Sequence, residues 1–406
     1  MALGSGEVGA PPSGTIGHDR DSTRTSPRPS DAAVPALAQD SRSHSAQPPR
    51  RRHLVALSGG VDSAVAAGLL AEAGELLVAV FMRNGVSGHG AAKSCCSLSD
   101  ARDARAAAER LGLPFYALDL ERPFSRLIDA FAEDYAAGLT PNPCVLCNNE
   151  LKFGELMQLA DELGCHDVIT GHYARLDEGQ LRRAVDPHKD QSYLLHGLTP
   201  AQRARARFPL GRLTKTEVRG HARRLGLALA DKPDSADICF VPGGDYRAVV
   251  RERLGHLGRA GVLVDERGAE LTQHAGVGGF TVGQRRGLGV ALGQPAYVHA
   301  IDPESGRVSV GPSEALECKS CRVTGLCWHE QPSDGERLYV QLRHQHQPQA
   351  CRIVSEGPAA LRLDFERPSR DVTPGQYAVF YRADLVLGGG RIARERPPGS
   401  RPEEQP

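Results

Sequence analysis

Two sets of residues in this chain have types and spacings that could do chemistry. The first is a set of three cysteines: Cys144 and Cys147 in PNPCVLCNN (141–149), and Cys239 in DSADICF (234–240). A thiol beside a helix N-terminus has its thiolate stabilised by the dipole, which lowers its pKa and makes it a better nucleophile. The sequence predicts that setting here, because Pro141 and Pro143 stiffen a loop just before a helix expected from about Asn149. Cys-x-x-Cys is equally the spacing of a redox pair or of half a metal site. Cys239 falls in a mixed polar and apolar turn, where periodicity alone gives no reason for a cysteine. The second set is Ser58, Gly59, Gly60, Val61, Asp62 and Ser63. Two glycines at a turn into a helix allow close backbone approach, and the helix N-terminus offers unpaired N–H groups to an anion. No Gly-Lys-Ser/Thr follows, so this is a phosphate loop of another kind than the Walker type.

These residues need elements to hold them. Leu54, Val55, Ala56 and Leu57 form an apolar run ahead of Ser58, and helical spacing resumes from Val61. Further strands are expected over 76–81, 115–118 and 168–170, with helices over 99–111, 127–137 and 150–163. Alternation of this kind predicts an α/β fold with an open, mostly parallel sheet. Ligands on such sheets sit beyond the carboxyl ends of the strands, which is where Ser58, Met82, Asn84 and Gly171 fall. From residue 208 the pattern changes to short helices and glycine-rich loops, a small central α+β domain. There Arg203, Arg205, Arg207, Arg212, Lys215, Arg219, Arg223 and Arg224 face a single acid in the same span, Glu217. Such a stripe reads either as a solvated face or as a phosphate-backbone contact. Short strands joined by Gly/Pro turns from about residue 296 predict a C-terminal β-barrel.

The expected organisation is a disordered tail at 1–52, a phosphate-loop domain at 53–207, a basic central domain at 208–292, a barrel at 293–395 and a tail at 396–406. Arg50, Arg51 and Arg52 read as the solvated end of the first tail. The 406 residues carry 24% charged side chains and a formal net charge of +0, so any nucleic-acid contact must be local. No secretory signal and no membrane-length apolar run is present, and ten cysteines without such a signal point to a reducing compartment. A soluble cytoplasmic protein is expected. Cys95 and Cys96 read as loop residues. Cys318, Cys321 and Cys327, with His329 nearby, have half the spacing of a zinc knuckle but strand-like neighbours. Cys165 and Cys351 read as core positions.

SGGVDS (58–63), TPNPCVLCN (140–148), TGHYAR (170–175), KDQSYLL (189–195), FPLG (208–211), DSADICF (234–240), TVGQRRGLG (281–289), TPGQ (373–376) and LGGG (387–390) occur in one order. Together, over roughly 53–392, they resemble the MnmA family of bacterial tRNA-specific 2-thiouridylases, in the PP-loop ATP pyrophosphatase superfamily. The resemblance implies that ATP adenylates the 2-oxygen of a wobble uridine and that a persulfide sulfur then displaces AMP. It makes Cys147 the nucleophile and Cys239 the persulfide carrier, joined in a transient disulfide after each turnover. It assigns ATP to Ala56, Leu57, residues 58–63, Met82 and Gly171, with Mg²⁺ near Asp62. It places Asn142, Pro143 and Cys144 at the target base, and His172, Lys189, Asp190, Gln191, Arg343, His344 and Gln376 at the tRNA. A cysteine-desulfurase relay would supply the persulfide. Where many relatives carry Asp, this chain has Cys144. That opens a second route, in which Cys144, Cys147 and Cys239 hold a 4Fe–4S cluster that delivers the sulfur. Two other readings of the residues stand beside these: a PP-loop amide ligase, which needs no cysteine pair, and a non-catalytic tRNA-binding protein.

Overall fold

An apolar run without alternation needs cover on both faces, and the computed structural model, which describes residues 51–85, 98–234 and 238–394, supplies it. The chain runs β1 (Arg52–Ala56), α1 (Val61–Glu72), β2 (Leu76–Arg83), α2 (Leu98–Arg110), β3 (Phe115–Asp119) and α3 (Glu121–Ala136). Then come α4 (Pro143–Leu146), a π-helical stretch (Cys147–Glu155), α5 (Leu156–Glu162) and β4 (Cys165–Ile169). A hairpin of β5 (Arg175–Asp177) and β6 (Gln180–Arg182) precedes α6 (Pro200–Arg205), β7 (Ala206–Arg207) and α7 (Lys215–Arg224). The sheet order is β3-β2-β1-β4-β7, parallel throughout. The chain builds outward from β1 on one side and returns to the other through β4, so the switch point of the sheet lies between β1 and β4. Crevices for ligands open at such points.

The middle of the chain contains α8 (Tyr246–Leu254), β8 (Gly261–Val264), β9 (Glu270–His274), β10 (Tyr297–Asp302) and β11 (Arg307–Gly311). These strands form a separate four-stranded sheet in the order β10-β11-β8-β9. The last six strands are β12 (Cys318–Trp328), β13 (Arg337–Gln341), β14 (Gln349–Ser355), β15 (Ala360–Ser369), β16 (Tyr377–Arg382) and β17 (Leu385–Ile392). They close into a barrel when β17 pairs back onto β12, and β6 adds to its outside through β17. Gly388 makes closure possible: a Cβ there would lie 2.2 Å from the Cys327 carbonyl oxygen.

Three expected boundaries move. The strands at 297–302 and 307–311 do not open the barrel. β11 pairs in parallel with β8, and Val298, Val308 and Val310 share an apolar core with Leu263 and Val277. Nor does residue 208 begin a new domain, because α7 packs on α1, with Leu210, Val218, Ala222 and Leu227 in one cluster with Val61, Ala64 and Val65. Arg52 is already in β1, and Arg51 reaches His166 at 2.9 Å, so the arginine cluster is not simply the end of a tail. The rest of the expected N-terminal tail, Cys95, Cys96, residues 235–237 and the expected C-terminal tail lie outside the described residues. Among the described residues no helix is long and apolar enough to cross a membrane.

Candidate functional site

The phosphate loop is held by its own two serines. Ser63 Oγ accepts the Ser58 N–H at 3.1 Å and donates to the Gly60 carbonyl at 3.2 Å, and the two hydroxyls lie 3.2 Å apart. Gly60 caps α1 with no side-chain hydrogen bond, so no capping group of its own occupies the helix mouth. Gly59 sits at φ +73°, and a Cβ on it would lie 2.3 Å from the Asp100 carbonyl oxygen. Gly171 follows β4, and a Cβ there would lie 2.6 Å from the Ser63 nitrogen. The turns after β1 and β4 therefore touch, backbone to backbone, at the switch point. Ala56, Leu57 and Met82 end the neighbouring strands on the same edge of the sheet.

Around this loop lies an ion-pair chain that sequence reasoning missed. Lys215 Nζ donates to both oxygens of Asp62, at 2.7 and 2.9 Å, and stands 2.7 Å from Asp234 Oδ1. Tyr173 Oη also donates to Asp62, at 2.8 Å. Asp234 in turn accepts from Lys189 at 2.6 Å and from Arg219 at 3.3 Å. Burial alone would raise the Asp234 carboxyl; the bonds from Lys189 and Lys215 outweigh it and hold the group below its ordinary value. On the other side of the loop, Lys232 Nζ donates to the Gly59 carbonyl at 2.8 Å and to Asp100 and Asp103 at 2.7 and 2.5 Å. One signal in the sequence pointed here: Thr214 and Glu217 form a capping box, which fixes Lys215 as the first residue of α7.

The basic stripe is thereby accounted for, and not as a free phosphate-binding face. Arg207 forks onto Glu75 at 2.6 and 2.8 Å, and Arg224 onto Glu72 at 2.5 and 2.8 Å. Arg205 meets Asp161, Arg212 meets Asp177 and Arg223 meets Asp231. The partners lie mostly outside the 203–224 span, so a local charge count overstated the excess. Asp62 likewise does not fit an open Mg²⁺ ligand as it stands, since Lys215 and Tyr173 engage its carboxylate.

The cysteine loop differs from expectation in a way its own residues explain. Asn142 Oδ1 accepts the Cys144 N–H at 3.2 Å and Pro143 takes the first helical position, so helix starts at Pro143 rather than near Asn149. Proline and asparagine here are start signals, not loop stiffeners. Cys144, not Cys147, occupies the first turn, and Cys147 opens the π-helical stretch. Cys147 and Cys239, distant in sequence, both pack against the cluster of Phe124, Phe131, Phe240 and Val250 where α3 meets α8. Cys144 packs instead on the core between sheet and barrel. Among the described residues no three His, Cys, Asp or Glu side chains group as they would around a metal ion, so the cysteine trio does not fit a cluster site. All three thiols are part-buried, and none is in a disulfide.

Most residues expected at the tRNA are engaged inside the protein. His172 is buried beside Phe153 and Phe208, with Nδ1 2.8 Å from Thr170 Oγ1 and Nε2 3.4 Å from Lys152 Nζ. Burial, and then Lys152, push its pKa well below the ordinary value. Asp190 accepts from the backbone of Ala184 and Ser192 and from the Ser192 hydroxyl. Gln191 accepts the Tyr173 N–H at 3.1 Å. Arg343 donates to Val282 O and Thr373 Oγ1, joining the middle sheet to the barrel, and His344 stacks obliquely near Tyr193. Gln376 donates to the carbonyls of Thr140 and Pro141 at 2.8 and 3.3 Å, so the barrel grips the cysteine loop directly. Lys189 is the partly exposed exception, and it is paired with Asp234. On the barrel, Cys321 and Cys351 are core residues of the strands.

Three family descriptions match in chain order: a tRNA methyl transferase HUP domain over residues 51–243, a tRNA methyl transferase PRC-barrel domain over 247–312 and an aminomethyltransferase beta-barrel domain over 318–392. These limits follow the structural units more closely than the sequence-based ones. The tRNA-specific 2-thiouridylase MnmA of Chloroflexus aurantiacus is 45% identical over 351 residues, covering 84% of this chain and 98% of its own. That of Geobacter metallireducens is 43% identical over 356 residues, covering 84% and 97%. Among solved structures, a 4-thiouridine synthetase–RNA complex with bound ATP is similar at a TM-score of 0.32 and 15% identity, over 50% of each chain, too weak a likeness to build on.

Proposed function

Because this chain belongs to the tRNA-specific 2-thiouridylase family, we propose that its phosphate loop and its cysteine pair carry out the two halves of one reaction, ATP-dependent 2-thiolation of a tRNA uridine. The enzyme is a sulfurtransferase acting on tRNA. A uracil carbonyl oxygen is a poor leaving group. Attack of that oxygen on the α-phosphorus of ATP expels pyrophosphate and leaves an O-adenylate, which departs as AMP. The backbone N–H groups at the start of α1 and the exposed Ser58 hydroxyl are the donors available to the phosphates, while Ser63, which donates to Gly60, holds the loop in shape. Cys239 carries a persulfide whose terminal sulfur attacks C2 and displaces AMP. The Cys147 thiolate then attacks the Cys239 sulfur, which frees 2-thiouridine and leaves a Cys147–Cys239 disulfide. A dithiol reductant resets the pair, and an external persulfide, of the kind a cysteine desulfurase relay makes, reloads Cys239. The reaction takes place in the cytoplasm, where tRNA and reductant are both present.

One observation carries this reading beyond family membership. Cys147 and Cys239 pack on the same apolar cluster, which also takes Met82, from the carboxyl end of β2, into its contacts. The test is mass spectrometry of tRNA nucleosides after incubating the reduced enzyme with ATP, Mg²⁺ and a persulfide donor. The expected product is 2-thiouridine in step with pyrophosphate. Pyrophosphate-independent product, or product from a Cys239→Ser enzyme, overturns the proposal.

A further inference from the structure

The peptide between Gly59 and Gly60 has no side chain on either flank to hold its orientation, and glycine tolerates either way round. Gly59 is buried, so its carbonyl needs a partner inside the protein. Lys232 supplies one. Its Nζ donates to the Gly59 carbonyl at 2.8 Å, to Asp100 at 2.7 Å and to Asp103 at 2.5 Å, the two carboxylates standing near the start of α2. An ammonium has three donors, and all three are matched. Burial alone would lower the Lys232 pKa; the bonds to Asp100 and Asp103 outweigh it and keep the group charged. The backbone that delivers Lys232 is fixed as well. Arg219 of α7 donates to the carbonyls of Ala230 at 2.6 Å and Lys232 at 3.1 Å, and the Lys232 N–H donates to the Leu229 carbonyl at 3.0 Å. Since α7 packs on α1, the loop and its pin are carried by one helix pair.

In a planar trans peptide the C=O and the following N–H point in opposite directions. With the Gly59 carbonyl held toward Lys232, the Gly60 N–H is turned to the other side. Gly60 is the N-cap of α1, so this N–H is one of those that a helix leaves open, and among the described residues it meets no acceptor. We propose that Lys232 is a positioning residue of the phosphate loop, which fixes the Gly59–Gly60 peptide so that the Gly60 N–H is presented to a phosphate oxygen of ATP. A flipped peptide would offer a carbonyl oxygen there instead, and two acceptors repel. With its donors taken by Gly59, Asp100 and Asp103, Lys232 acts on the phosphates through this peptide rather than as their direct ligand.

The role rests on the reading of residues 58–63 as an ATP phosphate loop, and the experiment separates the two. Selective isotope labelling of glycine in the full-length enzyme, with Gly60 assigned by the signal missing from Gly60→Ala, lets magnetic resonance read that amide directly. Adding ATP with Mg²⁺ to the wild type is expected to move the Gly60 proton resonance downfield, as a new bond to a phosphate oxygen does. In Lys232→Met the shift is lost even at saturating ATP, and ATP affinity by calorimetry falls about tenfold or more, the scale of one hydrogen bond to a charged group. Adenosine affinity, which uses no phosphate contact, is unchanged, whereas a merely structural role would weaken both ligands alike. Lys232→Arg keeps a cationic donor and is expected to retain the shift. If Lys232→Met does not fold, Lys232→Gln, whose side chain is shorter and uncharged, is expected to give the same loss. A Gly60 shift that persists in the folded variant, or a wild type that binds ATP without moving Gly60, overturns the positioning role. A wild type that binds no ATP overturns the reading of the loop itself, and the role with it.

Discussion

A methyl group on Gly59 would have nowhere to go. The residue combines φ +73° with a backbone oxygen 2.3 Å from where the Cβ would sit, and that oxygen belongs to α2 rather than to a yielding side chain. Gly59→Ala is expected to cost on the order of 1–3 kcal/mol in backbone strain alone, before the clash is relieved. Calorimetric ATP titration should show lost affinity and thermal unfolding a lower midpoint. The cysteines divide differently. Cys147→Ser and Cys239→Ser are expected to leave less than about one part in a hundred of the 2-thiouridine yield, since each removes a sulfur that forms a bond in the proposed reaction. Cys351→Ala should leave the yield intact and lower stability by about 1 kcal/mol, because this thiol is a buried filler of the barrel whose pKa burial pushes up to about 12. A Cys351→Ala enzyme without thiolation would contradict that division.

At the scale of elements, what could be read from the sequence depended on whether the signal was local. The strands at 76–83 and 115–119 and the turn at 58–63 announced themselves through apolar runs and glycines. Their convergence followed from the rule that ligands gather at strand carboxyl ends. What could not be read was pairing across distance. The family resemblance placed Lys189 and Gln376 at the tRNA, and no local pattern announced that Lys189 meets Asp234 or that Gln376 meets the carbonyls at 140 and 141. β10 and β11 were assigned to the barrel because strand pattern does not say which sheet a strand joins. The Gln376 grip makes its own prediction. Gln376→Ala is expected to lower kcat for thiolation by about tenfold, the scale of one lost hydrogen-bonding support, with tRNA affinity in filter binding nearly unchanged. A fall in affinity with kcat preserved would return Gln376 to the RNA surface.

At the scale of the whole molecule, sheet and barrel share a core. Val379, Tyr381 and Val386 of the barrel pack in one cluster with Leu54, Val80 and Tyr193. Along the same seam His329 lies beside His196 and Arg203, and burial brings both imidazoles down to about 4. Their folded values lie below the ordinary 6.5, so the unfolded chain binds protons more readily. The stability they contribute is full above pH 6.5 and is lost as the pH falls towards 4, up to about 3 kcal/mol for His196. Urea unfolding at pH 7, 6 and 5 is expected to show falling midpoints, with a shallower fall in His329→Gln; an identical fall in that variant would remove His329 from the account. The seam also bears on how the protein comes into being. The backbone at 137–141 is fastened by Pro374, Gln376 and Arg394, and α3 by Arg391 through Asp134. A ribosome working from the first residue to the last delivers the cysteine loop long before any of these fastenings emerge. A nascent chain can therefore hold nucleotide-binding elements while its cysteine loop remains unfastened, and that loop is secured only once the barrel strands have been translated.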